Sequence, residues 1–520
     1  MIRSKWLALF LLLAPWPMHA QKVTKFQGIT AVQDPRPDID ADPNGSIGTK
    51  QYLEYVNLGL QAYDKVTLAP LWSAPVALGS LWANNSNTPD CAGDGIHGDG
   101  MALFDRLASR WVVGGHTSPP SGNTNYFYCI AVSNTDDLSS SSLQWYAYEF
   151  SLNPILGSDE KGKPYFPDWP KLATWADAYY VSFDMLDTSY NYAISGVAFC
   201  AMDRTNILNN ATANTMQCFK DGPSRPYLKH SPVPADVEGT TAPPSGRDEF
   251  FLSIQNPPRD GKTLTTDSLN LWNFHVDWTN PADSTFATSS VTVPAYIPGC
   301  YTTKAPSNAA CIQQPAIKSG NQHYVLYSGA DRLMPRLAYR NFGTYESFLI
   351  SHTIQPGKVA HSQSAVGWYE LRGNGSNTPS LFQSGSYNPN TSLYRFMPSI
   401  AQDSAGNVAM GYSVSSKTVN PGIRAIGWKL GSKKTKIELN IQNGGGSQEN
   451  NTYWGTYTSM TVDPVDECTF WYVNEYQPSN ETGKSINWYT TIANFQVTGC
   501  EAAKSKNPAI AAAGSNGPSK

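Results

Sequence analysis

The stretch that decides the fold is Pro398-Ser-Ile-Ala-Gln-Asp403-Ser-Ala-Gly406-Asn-Val-Ala-Met-Gly-Tyr412. It reads as a short apolar strand, a tight turn built on Asp and Gly, and a second apolar strand. Residues 458–472 repeat that grammar, as do 170–183, 100–113 and 336–350. A degenerate copy runs from Asp38-Ile-Asp-Ala-Asp42-Pro-Asn-Gly45 into Tyr52-Leu-Glu-Tyr-Val56, and a weaker one surrounds Glu249-Phe-Phe-Leu-Ser253. Further strands follow the copies, among them residues 196–201, 269–275 and 422–428. Starts near 40, 101, 170, 248, 336, 397 and 457 make seven units of about four strands each, within the ~4–8 blades of a β-propeller. A pair of β-sandwiches or a solenoid is the competing arrangement. The propeller is preferred because a closed ring protects the strand edges. The expected fold is therefore all-β, a single seven-bladed propeller with disulfides. In it, residues 23–32 supply the outer strand of the last blade and Cys468–Cys500 ties that blade internally.

Composition agrees. Charged residues are 15% of the chain, against 41 Gly, 37 Pro and 28 Tyr, and the apolar spacing of helices is nearly absent. Residues 1–20 carry Arg3 and Lys5, then an apolar run from Leu7 to Ala14, and end on Ala20, as a secretory signal peptide does. That run is far short of the ~20 residues of a membrane span. The expected organisation is a signal peptide at 1–20, the propeller at 21–500 and a disordered tail at 501–520, in a protein that is secreted, extracellular or periplasmic. Without the leader, 35 basic and 41 acidic residues leave a formal charge of −6. No basic face or run announces a nucleic-acid partner. The cysteines Cys91, Cys129, Cys200, Cys218, Cys300, Cys311, Cys468 and Cys500 allow 105 connectivities, but they fall into four neighbouring couples. None has the Cys-x-x-Cys spacing of structural zinc.

In a propeller the lead-in to each first strand faces the central funnel. Those lead-ins supply Asp99 and Asp168 as candidate catalytic carboxylates, and His97, Trp169, Arg336, Arg395, Trp454 and Tyr457 as candidate substrate-binding side chains. Aromatic faces stack on sugars and charged groups bond their hydroxyls, so a glycan is the expected partner. Glycoside hydrolysis needs two carboxyls ~5–9.5 Å apart. Glu346, Glu370 and Glu475 are also available, and spacing alone selects no pair. The Phe-Pro-Asp168-Trp-Pro setting, which stiffens the backbone, makes Asp168 the first choice. No His-Glu-x-x-His or Gly-x-Ser-x-Gly pattern offers a metalloenzyme or a serine nucleophile, and no cofactor is required. Asp40, Asp42 and Asn44 with Gly45 match the start of a calcium loop, although Gln51 stands where such a loop ends in Glu. Structural calcium is the metal candidate.

The phrases Tyr128-Cys-Ile-Ala-Val-Ser133, Pro167-Asp-Trp-Pro-Lys-Leu172, Trp368-Tyr-Glu-Leu-Arg372 and Cys468-Thr-Phe-Trp-Tyr-Val-Asn-Glu-Tyr476 resemble a family of large exported bacterial proteins, largely uncharacterised and predicted to be propellers. The resemblance runs from about residue 52 to 500 and implies fold and export, but no activity. It also marks a departure, Tyr453-Trp-Gly-Thr456-Tyr457 where the family pattern has Arg-Trp-Gly-Asp-Tyr. Two functions are expected: a secreted carbohydrate-active enzyme, either glycoside hydrolase or polysaccharide lyase, or a non-catalytic glycan- or protein-binding propeller of the surface or envelope.

Overall fold

The computed structural model describes residues 22–500, apart from 36–39, 84, 86, 118–124, 223–230, 256–265, 301–309, 316–324, 357–362, 376–377, 390–391, 430, 432–436, 450–451 and 482–485. The expected leader and tail lie outside the described residues. What is described is all-β, with two α-helices of a single turn, α1 (Asn153–Leu156) and α2 (Arg204–Leu208).

Unit 1 holds β2 (Asn44–Ile47), β3 (Gln51–Val56), β4 (Gly59–Asp64) and β5 (Val76–Ala77). Unit 2 holds β6 (Ile96–Asp105), β7 (Arg110–Thr117), β8 (Phe127–Ser133) and β9 (Trp145–Ser151). Unit 3 holds β10 (Phe166–Thr174), β11 (Ala178–Asp187), β12 (Ala193–Asp203) and β13 (Gln217–Asp221). Unit 4 holds β14 (Val233–Val237), β15 (Glu249–Ile254), β16 (Thr266–His275) and β17 (Thr285–Pro294). Unit 5 holds β19 (Met334–Asn341), β20 (Glu346–Gln355), β21 (Ala365–Gly373) and β22 (Ser380–Tyr387), with β18 (Ile297–Pro298) on β20. Unit 6 holds β23 (Tyr394–Gln402), β24 (Val408–Ser416), β25 (Val419–Trp428) and β26 (Ile437–Gln442). Unit 7 holds β27 (Ser459–Val462), β28 (Thr469–Tyr476) and β29 (Tyr489–Gln496), and its fourth strand is β1 (Thr24–Thr30), antiparallel to β29. Residues near 23–32 thus do complete the last unit.

Within each unit the strands form an antiparallel meander. The first strands pack in chain order, β2 on β6, β6 on β10, β10 on β14, β14 on β19, β19 on β23 and β23 on β27, and β27 packs on β2. Apolar cores fill the spaces between successive units: Leu53 with Trp111, Tyr128 with Phe183, Leu349 with Ile400, Ala425 with Phe470, and Ile47 with Trp471 across the two chain ends. A sheet covered on both faces needs no polar alternation, and this is why β11 and β20 are buried at every position. Single hydrogen bonds also step from unit to unit. Asn44 Oδ1 accepts from Ala102 N at 2.9 Å, Met101 Sδ from Leu172 N at 3.2 Å, and Ser399 Oγ from Met460 N at 3.0 Å. Glu54 of β3 accepts from Ile29 N of β1 at 2.9 Å and from the Thr490 hydroxyl of β29, binding the first unit to the last.

The deciding stretch behaves as read. It spans β23, a turn and β24, and Asp403 accepts from Ala405 N and Asn407 N at 2.9 and 2.8 Å while Gly406 takes φ 80°. Asp105 and Asp463 cap the corresponding hairpins of units 2 and 7. The fourth start needs correction. Residues near 248 open the second strand of that unit, and the first strand is β14, fifteen residues earlier in the chain. Five residues including Pro234 do not read as a central strand. β14 holds its place by pairing in parallel with β19, Ala235 opposite Leu337. The disulfides are the four neighbouring couples, 91–129, 200–218, 300–311 and 468–500. Disulfides of this number are characteristic of oxidising compartments. No helix among the described residues is long and apolar enough to cross a membrane.

Candidate functional site

A recurrent dipeptide marks the first strands, just before β2 and β14 at Asp42-Pro43 and Ser231-Pro232 and inside β10 and β23 at Trp169-Pro170 and Met397-Pro398, with Asp99-Gly100 inside β6. The residue before the Pro or Gly is left-handed in each, φ 38° at Asp42, 50° at Asp99, 55° at Trp169, 46° at Ser231 and 49° at Met397. Side chains other than Gly pay about 1 kcal/mol or more for that conformation, and such strain concentrates at functional sites. Here it falls on two carboxylates and one indole of a single cluster.

The cluster is built on unit 3. β10 bulges between Asp168 and Lys171, and the register places Asp168 opposite Asp184 of β11. Directly opposed residues on antiparallel strands have Cβ atoms about 5 Å apart, and like charges there are destabilising. Burial, reinforced by the charges of Asp99 and Asp184, holds the Asp168 carboxyl well above the usual carboxylate range. Asp184 is anchored by Ser231, whose N–H donates to one carboxylate oxygen at 2.5 Å and whose hydroxyl donates to the other at 2.7 Å. Behind this pair lie Asp99 and Asp42. Burial and then Asp99, which hydrogen-bonds it, raise the Asp42 carboxyl, with Asp40 and Glu475 adding to the effect.

Two cations sit among these acids. Arg332 makes a two-pronged pair with Asp331 at 3.1 and 2.9 Å, donates to Ser231 Oγ at 3.0 Å, and lies 3.4 Å from the centre of the Trp169 ring. Lys171 is buried over the Tyr457 ring at 3.9 Å and donates to the carbonyls of Trp169 and Pro170. Burial pushes its ammonium down to about 7 against the pull of Asp99. Asp168, Trp169, Asp184 and Arg332 line a cavity of about 460 Å³ together with Tyr192, Tyr327 and Tyr453. Tyr327 is fixed by donating to Asp331 at 2.7 Å. A cavity of that size with an aromatic wall and converging polar groups suits a small ligand.

The structure brings Asp168, Trp169, Asp99, Asp42 and Tyr457 together. Other expected residues lie elsewhere. Arg336 is buried in an ion network with Asp236 and Glu238, away from the cavity, and its Nη1 also donates to Met460 O at 2.9 Å. Arg395 is fully buried against Glu438 at 2.8 and 3.2 Å. Both guanidiniums are paired with carboxylates and neither lines the cavity. Trp454 packs with Tyr327, Phe396 and Met397 and donates to Ser413 Oγ at 3.0 Å, backing the cavity wall. His97 falls in β6 and its side chain lies outside the described residues. The Asn44 amide of the calcium-like loop is spent on Ala102 N and Tyr457 O, and no group of three His, Cys, Asp or Glu among the described residues is arranged to hold a metal ion. Sequence reasoning missed Asp184, whose signal is an acid set between Phe183 and Met185 in the middle of a wholly buried strand.

No family model and no curated protein matches the chain. Solved structures do. An exo-beta-1,3-galactanase from Clostridium thermocellum is 11% identical with a TM-score of 0.30, covering 88% of this chain and 94% of its own. An alpha-L-arabinanase from Cellvibrio cellulosa is 8% identical with a TM-score of 0.31, covering 77% and 95%. The extracellular domains 1-2 of Drosophila Semaphorin 1b are 6% identical with a TM-score of 0.32, covering 91% and 86%. Hydrolases and a semaphorin match equally well, so this likeness does not choose an activity.

Proposed function

We propose that the seven units are the blades of one closed β-propeller, exported from the cytoplasm, and that its central cavity cleaves glycosidic bonds. The carrying observation is the opposed carboxyl pair Asp168 and Asp184 in a cavity walled by Trp169, Tyr192, Tyr327 and Tyr453. Burial and the charges of Asp99 and Asp184 favour the protonated form of the Asp168 carboxyl, which donates its proton to the glycosidic oxygen. Asp184 attacks the anomeric carbon as the bond to the departing sugar breaks, giving a glycosyl ester. Water then cleaves that ester, with Asp168 taking the proton of the water. Cross-strand placement supports the short carboxyl separation of this retaining route over the wider gap that an inverting enzyme leaves for water.

Aryl glycosides with leaving groups of graded acidity test the roles. Asp168→Asn should abolish release of poor leaving groups and spare 2,4-dinitrophenol, whereas Asp184→Asn should abolish both. Equal loss in both variants with both substrates would overturn the assignment of Asp168 as acid. A binding-only propeller is the second reading, favoured by the exposed rings of Tyr192 and Tyr453 at the cavity, 59% and 51% exposed. It is the outcome if glycans bind without any product.

A further inference from the structure

Four large aromatic side chains are exposed among the described residues: Tyr190, Tyr192, Phe382 and Tyr453. Tyr192 and Tyr453 line the central cavity, and Tyr190 lines a second one of about 560 Å³. The two cavities share a wall. It is the hairpin end of β11 and β12, where Leu186 and Ile194 face the central cavity while Met185, Asp187 and Ser195 face the second. Alternation along a strand sends neighbouring side chains to opposite faces, so one hairpin serves both. At its tip Asn191 and Tyr192 are consecutive left-handed residues, each at φ 57°, and tyrosines flank Asn191 on both sides. Strain of that kind persists only where surrounding structure imposes it. The Lys161 ammonium lies 4.7 Å from the centre of the Tyr190 ring, and Phe166 meets Tyr192 edge-on at 6.2 Å.

The floor of the second cavity is polar and apolar in turn. Glu160, Asp187 and Lys220 provide charged groups beside Tyr165 and Met185. Lys220 donates to Leu156 O at 3.2 Å and Asp187 accepts from Ser189 N at 2.8 Å, so both are held in place. The wall carries no carboxyl pair of the Asp168–Asp184 kind, and it therefore offers binding without the chemistry of the first cavity. Aromatic rings bordering hydroxyl-binding groups suit a sugar ring.

We propose that the second cavity is a further subsite for the same glycan, and that the substrate is an oligosaccharide or polymer crossing the Tyr190–Tyr192 ridge. The inference rests on the glycan reading of the central cavity. One end of the chain lies between Asp168 and Asp184, the next sugar passes over the ridge, and later sugars settle against Tyr190 and Tyr165.

Cello-, xylo-, arabino- and galacto-oligosaccharides, each as dimer and hexamer, are titrated by calorimetry against the Asp168→Asn protein, which does not turn them over, alone and combined with Tyr190→Ala or Tyr190→Phe. Tyr190 is 57% exposed, so the substitutions leave the core intact, and an unchanged melting temperature verifies it. The hexamer of the recognised series should bind at least tenfold more tightly than its dimer. Tyr190→Ala should lower that ratio about five- to tenfold, and Tyr190→Phe should restore it, since stacking uses the ring. Equal affinity for dimer and hexamer, or a ratio untouched by Tyr190→Ala, would overturn the second subsite and leave the central reading standing. Failure of every series to bind Asp168→Asn, together with no product from the wild-type protein, would overturn both.

Discussion

Replacing Arg336 by Met separates a structural guanidinium from a ligand-binding one. Arg336 is 3% exposed and joins units 4, 5 and 7: its Nε donates to Asp236 at 2.7 Å, and its Nη1 meets Glu238 at 2.5 Å and Met460 O at 2.9 Å. Breaking a buried pair from one side costs about 3–5 kcal/mol, because the remaining charge is uncompensated. Both acids keep other donors, Thr174 for Asp236 at 2.9 and 2.8 Å, and Arg106 with Val462 N for Glu238 at 2.7 and 2.5 Å. The lower end, about 3 kcal/mol, is therefore expected. Unfolding entropy of about 2 cal/mol/K per residue over roughly 480 residues gives about 1 kcal/mol/K, so the melting temperature should fall by about 3 °C. Scanning calorimetry measures this, and adding Asp236→Asn should recover part of the loss, with Glu238 kept because it also compensates buried Arg106 at 2.7 Å. An unchanged melting temperature combined with lost glycan affinity would refute the structural assignment and return Arg336 to the site.

Three further outcomes follow from particular groups. Burial pushes the Glu54 carboxyl up to about 7, so the folded state holds a proton that the unfolded chain releases. Its stabilising contribution is complete below the unfolded value of about 4.5 and is lost as pH rises through 7; Glu54→Gln should gain on the wild type by up to about 3 kcal/mol between pH 4 and 8, read by denaturant midpoints. A flat difference across that range would contradict the burial of an ionisable group at this seam. Opening the Cys200–Cys218 link, a sequence separation of 18, by a double Ser substitution should cost about 3 kcal/mol in thermal unfolding. Proton NMR of the first product formed should show retention at the anomeric carbon, and inversion would remove Asp184 as nucleophile.

Much of the fold is legible before any coordinates because local chemistry encodes it. Asp403 and Gly406 announce their hairpin, and the four cysteine couples are short-range partners within or beside one unit. Asp168 and Trp169 stand out because prolines bracket them. What the chain hides is register and the contributions of distant units. Asp184 becomes notable only once β11 is aligned with β10, and Tyr327 and Tyr453 reach the cavity from loops of units 5 and 7. The same distance misleads in the other direction at Arg336, whose carboxylate partners arrive from unit 4. β14 escapes recognition because its parallel partner lies about 100 residues further along.

The most direct test of the proposed activity is a screen of purified protein for reducing ends released from a panel of plant, algal and bacterial polysaccharides. Release from at least one polymer, lost in a folded Asp168→Asn variant, is the expected result. Silence across the panel alongside gel retardation by one of the polymers, or full turnover in Asp168→Asn, would contradict it.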